Sequence, residues 1–159
     1  MTVKGFETHD HAHCIASSLE VAEEACRQSG AQLTPIRRRV LEILLQKHSA
    51  MGAYEVLDQL RSEGKGSQPP VAYRALDFLV SNGFAHKIER LNAFVACAHP
   101  GEQHAPCFLI CRDCSTVAET PGKPVANVVS KSASELGFVV EKVSIEAVGL
   151  CPSCQDSAA

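Results

Sequence analysis

Four cysteines stand in two Cys-x-x-Cys pairs, Cys111 with Cys114 and Cys151 with Cys154, flanking a stretch patterned as strand, helix and strand. Thiolates at this spacing can close a tetrahedron around zinc, each pair supplying one edge. The spacer is longer than in a compact zinc ribbon, which makes the four a clasp internal to a fold. The competing readings are a pair of disulfides and a redox-active pair. Disulfides belong to oxidising compartments, and no helix starts at Cys111 to depress a thiol for redox work, so structural zinc is the expected occupant. The run His9-x-His11-x-His13-Cys14 also has metal-binding composition, but at a terminus it reads as a solvated tail or weak auxiliary site. Cys26, on the apolar side of a helical pattern, reads as core. No Gly-rich phosphate loop and no Ser/His/Asp arrangement is present, so an enzyme is not expected.

The elements around these residues can be read from periodicity. A helix is predicted over 15–29, with Leu19, Ala22, Ala25 and Cys26 recurring at three- and four-residue spacing and Gly30 beyond it. A second starts at Thr34 and Pro35, with Val40, Ile43, Leu44 and Lys47 on one face. A third spans 53–62 and stops at Gly64, and a Gly-Lys-Gly-Ser-Gln-Pro-Pro turn leads to a fourth at Pro70. That fourth helix buries Ala72, Leu76, Leu79 and Val80, leaving Tyr73, Arg74, Asp77 and Ser81 open. An exposed Tyr-Arg in the first turns suits a recognition helix in a major groove. Arg74 is the expected groove contact, with Tyr73 beside it and Tyr54 on the preceding helix. Arg37, Arg38 and Arg39 rotate by about 100° per residue, so not all three can face DNA, and part of the triplet reads as solvated surface.

Two short strand-like runs follow, 84–88 and 93–97, turning at Leu91-Asn92, and helices followed by a hairpin make a winged helix-turn-helix. The second half reads as strand (107–111), strand (116–120), helix (124–136) and strand (138–148). In the last strand Val143, Ile145 and Ala147 alternate with Lys142, Ser144 and Glu146, which predicts one buried face. The expected fold is therefore α+β. A winged helix-turn-helix domain (1–90, with the polar His-rich tail) is followed by a hinge (91–98) and a small α/β domain (99–159) stapled by the four cysteines. The second domain is too small to be comfortable alone, and dimerisation and a structural metal are the usual remedies.

Composition agrees with two small globular domains. Of 159 residues, 45% are hydrophobic and 21% charged, and the net charge is −3. Residues 27–90 carry ten Lys and Arg against six Asp and Glu, whereas 91–159 carry four against seven. The basic portion is thus the one whose helices look DNA-facing. Apolar runs such as Phe108-Leu109-Ile110 fall far short of the roughly 20 residues of a membrane span, and no secretory h-region is seen, so a cytoplasmic location is expected.

Leu33-Thr34-Pro35-x-Arg37, Ala53-Tyr54-x-x-Leu57, Pro70-Val71-Ala72-Tyr73-Arg74-Ala75-Leu76, Gly83-Phe84-x-His86-Lys87 and the two Cys-x-x-Cys pairs stand in the order of the ferric uptake regulator family. The chain resembles that family over roughly 20–154, with one departure, Ala72 where the family usually carries Thr. The resemblance is nearest to the family's zinc-sensing members, which bind palindromic operators as zinc-loaded dimers and repress zinc-import genes. It implies double-stranded operator DNA and a second copy of the chain as partners, no small-molecule substrate, and about two zinc ions per chain. The second, regulatory site falls on His86, Cys97, His104 and Glu119. Two imidazoles, a thiolate and a carboxylate are all suitable zinc ligands, and they come from both sides of the expected hinge. His99 and Cys107 stand nearby as alternative ligands. An iron- or peroxide-responsive member of the family is the first alternative function, and a zinc-stapled adaptor that binds protein is the second.

Overall fold

The computed structural model describes Phe6 and residues 10–65, 68–102 and 104–157. His9 lies outside them. The described residues form two compact units, one of residues 10–102 and one of residues 104–157 with Phe6.

The first unit opens with α1 (His11–Ser29), which begins four residues earlier than its apolar spacing indicates. Asp10 is the reason: its side chain accepts the amides of Ala12 and His13 and caps the first turn. His11, His13 and Cys14 are therefore helical rather than part of a loose tail. Gly30, at φ 75°, ends α1 in the left-handed conformation that glycine adopts without strain. α2 (Pro35–Leu45) is capped by Thr34, with Pro in its first turn, and Lys47 lies exposed beyond its end. α3 (Ala53–Ser62) is closed by Glu55, whose carboxylate accepts the Gly52 amide at 2.7 Å.

α4 (Pro69–Ser81) buries Ala72, Ala75, Leu76 and Leu79, with Val80 only partly covered. Tyr73, Arg74, Asp77 and Ser81 face outward as expected. Ala72 is 1% exposed and faces inward. β1 (Ala85–Ile88) and β2 (Ala93–Ala96) form the antiparallel wing, and Asn92 takes the left-handed turn position at φ 46°. Met51 exchanges two backbone hydrogen bonds with Phe94 and so adds a bridge to the wing. The core of this unit packs Leu19, Ala22 and Cys26 against Val40, Leu41, Ile43, Leu44, Val56, Leu60, Leu76 and Leu79. The stretch 91–98, expected as the hinge, thus carries strand β2, and the division between units falls later.

The second unit is a three-stranded sheet of order β4-β3-β5, built from β3 (Pro106–Cys111), β4 (Val117–Pro121) and β5 (Ile145–Gly149), with α5 (Lys123–Glu135) crossing between β4 and β5. β4 is antiparallel to β3 and β5 is parallel to it. The expected long strand over 138–148 is corrected to 145–149. Pairing with β3 starts at Ile145 opposite Cys107, and the preceding partner position is Pro106, which has no N–H to offer a ladder. Neither face of β5 is fully covered, because Ala147 and Val148 remain exposed. α5 contains no buried residue. A short helix that periodicity did not reveal, α6 (Pro152–Ser157), follows.

Candidate functional site

The clasp is assembled at one end of the sheet. β3 and β5 run parallel, so Cys111 and Gly149 are register partners and Cys151 arrives beside Cys111. A tight turn after β3, with Ser115 at φ 61° and its amide donating to the Cys111 carbonyl, folds Cys114 back. The first turn of α6 does the same for Cys154, whose amide donates to the Cys151 carbonyl at 3.1 Å. The four sulfurs lie within 4.8 Å of one another. Cys114 Sγ and Cys151 Sγ are 3.6 Å apart, close to the roughly 3.8 Å edge of a tetrahedron with metal–sulfur bonds of about 2.3 Å. All eight cysteines are free.

The electrostatics of the clasp favour thiolates that then need a cation. The amides of Cys114 and Cys151 donate to the Cys111 sulfur, the latter at 3.4 Å, and pull its thiol down to about 6 against the opposing effect of burial. The Thr116 hydroxyl, 3.2 Å from Cys114 Sγ, and the Thr116 amide lower the Cys114 thiol as well. Contact with the Cys151 sulfur, reinforced by burial, holds the Cys154 thiol up at about 12. The first thiolates form readily and the last resists, as expected of like charges crowded together. A divalent soft-ligand metal removes that resistance, so the donor set fits zinc.

The four residues of the implied regulatory site fall as two pairs, one in each unit. On the wing, His86 is paired with Val95, and the Cys97 amide donates to the Phe84 carbonyl at 2.9 Å. This register puts His86 and Cys97 on the same face of the hairpin as diagonal neighbours. Cys97 is buried, and its sulfur accepts the His99 amide at 3.4 Å. In the second unit, His104 Nε2 lies 2.6 Å from Glu119 Oε1. Glu119 is the buried charged side chain among the described residues, and a buried carboxylate requires a close polar or cationic partner. Among the described residues, neither His99 nor Cys107 belongs to any group of three or more potential metal donors. Burial pushes the Cys107 thiol up, which suits a small sheet residue rather than a ligand.

On the outer side of α3 and α4, Tyr54 and Tyr73 are exposed and meet edge to face, their ring centroids 6.4 Å apart, with Arg74 exposed next along α4. In the arginine triplet of α2, of which part was expected as solvated surface, every side chain is engaged within the unit, with Arg38 more exposed than Arg39. The Arg37 guanidinium stacks 3.9 Å over the Phe78 ring and donates to the Gln32 carbonyl. Arg38 pairs with Glu23 and Glu42. Arg39 forks onto Glu63 at 2.6 and 2.8 Å and also reaches Glu42.

The sequence pattern of the ferric uptake regulator family matches residues 28–148. The chain belongs to the ferric uptake regulator family. It is similar to the zinc uptake regulation protein of Escherichia coli strain K12, with 39% identity over 138 residues that cover 86% of this chain and 80% of that protein. In structure this family member is similar to a zinc uptake regulator complexed with zinc and DNA, with TM-score 0.87, 36% identity and coverage of 91% of this chain and 97% of the other. It is also similar to holo XcZur, with TM-score 0.81, 42% identity and coverage of 90% and 99%.

Proposed function

We propose that this protein is a zinc-dependent transcriptional repressor that holds palindromic operator DNA as a dimer and controls zinc-uptake genes. In this reading the winged-helix unit binds DNA through Tyr54, Tyr73 and Arg74, and the sheet unit dimerises. Dimerisation is supported by the exposed Val125, Val128 and Val129 of α5 together with Leu136, Phe138 and Val139, large apolar side chains turned to solvent in one short stretch of chain. Cys111, Cys114, Cys151 and Cys154 take the structural zinc, and His86, Cys97, His104 and Glu119 take the regulatory one. Because the regulatory donors come from both units, occupancy restricts the orientations the units can adopt. Two recognition helices in a dimer must meet half-sites about 34 Å apart or a multiple of it. A bound ion favours the DNA-competent state only as far as it binds that state more tightly.

The observation that carries the choice of metal is Cys97. Its buried sulfur adds a soft donor to a set that would otherwise be imidazole and carboxylate, which suit iron at least as well. The iron-sensing alternative also expects a His-rich segment after the second wing strand, where this chain has only Ala96-Cys97-Ala98-His99.

The test is a mobility shift on a duplex selected from a random pool by the zinc-loaded protein, with zinc titrated against a chelator. Single substitutions His86→Ala, Cys97→Ser, His104→Ala and Glu119→Gln should leave a folded dimer that needs far more zinc to bind. Wild-type zinc dependence in all four removes the ligand set. Recovery with ferrous or manganous ions but not zinc assigns the protein to the iron branch. Failure to select any duplex overturns the repressor reading.

A further inference from the structure

The histidines at the start of α1 serve neither the clasp nor the mixed set. His11, on the first turn of α1, has its ring centroid 4.8 Å from that of His48, with the planes inclined at 39°. His48 lies in the segment joining α2 to α3, just before Met51, which is itself fastened to the wing by its bridge to Phe94. Both residues belong to the first unit. The position of His11 is fixed rather than incidental, because Asp10 caps the turn on which it stands. His11 is exposed and His48 half-buried, so the contact is open to solvent ions and contributes little apolar burial.

With metal–nitrogen bonds of about 2.0 to 2.1 Å, two imidazoles on one ion place their ring centroids roughly 4.5 to 5.2 Å apart for ligand angles from about 90° to 109°. The observed separation falls in that interval. We propose that His11 and His48 form a third metal site, open and exchangeable, for a borderline divalent transition ion such as zinc, nickel or copper. Imidazole ligands disfavour magnesium and calcium, which prefer oxygen. An ion held there pins the first turn of α1 to the connection between α2 and α3, so the site is a tether for the N-terminal helix of the first unit. It does not depend on the repressor reading.

The test uses the full chain with its tightly held zinc in place. Zinc is titrated in competition with a chromophoric chelator, and nickel is added in parallel while imidazole proton signals are followed by NMR. The wild type should take up one weak equivalent that His11→Ala and His48→Ala each lose, with tightly held zinc unchanged, and nickel should broaden the His11 and His48 signals. His11 is exposed, so its variant decides the matter even if His48→Ala fails to fold. A His11→Ala protein that binds as many equivalents as the wild type, or nickel that leaves the His11 signals sharp, overturns the site.

Discussion

Arg39 and Arg74 are both arginines on helices of the first unit, yet their surroundings give them different work. Arg39 is consumed by Glu63 and Glu42, and its guanidinium holds the Glu63 carboxyl down at about 2, well below its ordinary 4.5. A depressed carboxyl stabilises the fold at pH above its unfolded value, and that contribution disappears as pH falls through the folded one. Urea midpoints of the wild type should therefore exceed those of Glu63→Gln above about pH 4.5 and converge with them by about pH 2. A gap of constant size across that window would show that the fork contributes nothing through ionisation. Arg74→Ala, by contrast, should spare stability and metal content and weaken DNA binding. A lost base contact costs about 1 to 3 kcal/mol and relaxes sequence preference, whereas a lost phosphate contact weakens all duplexes alike. At this scale the sequence was legible where spacing encodes chemistry, as for the Cys-x-x-Cys pairs that the sheet brings within 4.8 Å. It was not legible for the arginine triplet, because the partners Glu23 on α1, Glu63 just past α3 and Phe78 on α4 are distant in sequence and no local pattern announces them.

Apart from the early start of α1 at its Asp10 cap, the helices of the first unit follow their caps and apolar periods, since Thr34, Gly64 and the Pro pair at 69–70 punctuate the chain at short range. The second unit departs from its pattern because its strands answer to partners. The alternation over 142–147 is real, but only 145–149 finds a ladder on β3. One position in this unit is set by closeness of approach. A Cβ at Gly122 would stand 2.8 Å from the Ala105 carbonyl oxygen and 3.1 Å from the Pro106 carbonyl carbon, both backbone atoms. Its amide already donates to Ala105 at 2.7 Å. Gly122→Ala should therefore destabilise the unit by about 1 to 3 kcal/mol, the usual cost of forcing an extra carbon into a packed site, seen as a lower thermal midpoint. An unchanged midpoint would mean the strand end yields freely. On α5, Val128 is 65% exposed. Val128→Glu should leave the monomer folded and convert the dimer to a monomer in light scattering, and a dimer that persists would place the partner surface elsewhere.

Taken whole, the molecule divides its stabilisation unevenly. The first unit owns a continuous aliphatic core, whereas the second exposes both α5 and part of β5 and must draw on the clasp and on a partner. Removal of zinc with a strong chelator should accordingly lower the unfolding transition of residues 104–157 and leave much of the helical signal of the first unit in place. A single transition unmoved by chelation would deny the clasp its structural part. The division into two units was foreseeable from composition and spacing, whereas the expected hinge over 91–98 overlapped the 93–97 run already read as a wing strand, and the units divide after Glu102. The parallel pairing of β3 with β5 also bears on how the protein is made. Cys111 and Cys151 are 40 residues apart, and at about 5 to 20 residues per second the ribosome takes roughly 2 to 8 seconds to travel between them. Throughout that interval the nascent chain carries Cys111 and Cys114 without the strand that completes their surroundings, and without the Cys151 amide that helps to make Cys111 acidic. Until the rest of the clasp has been translated the first pair can offer an ion only two sulfurs, and the four-sulfur site exists only on the chain that has reached Cys154.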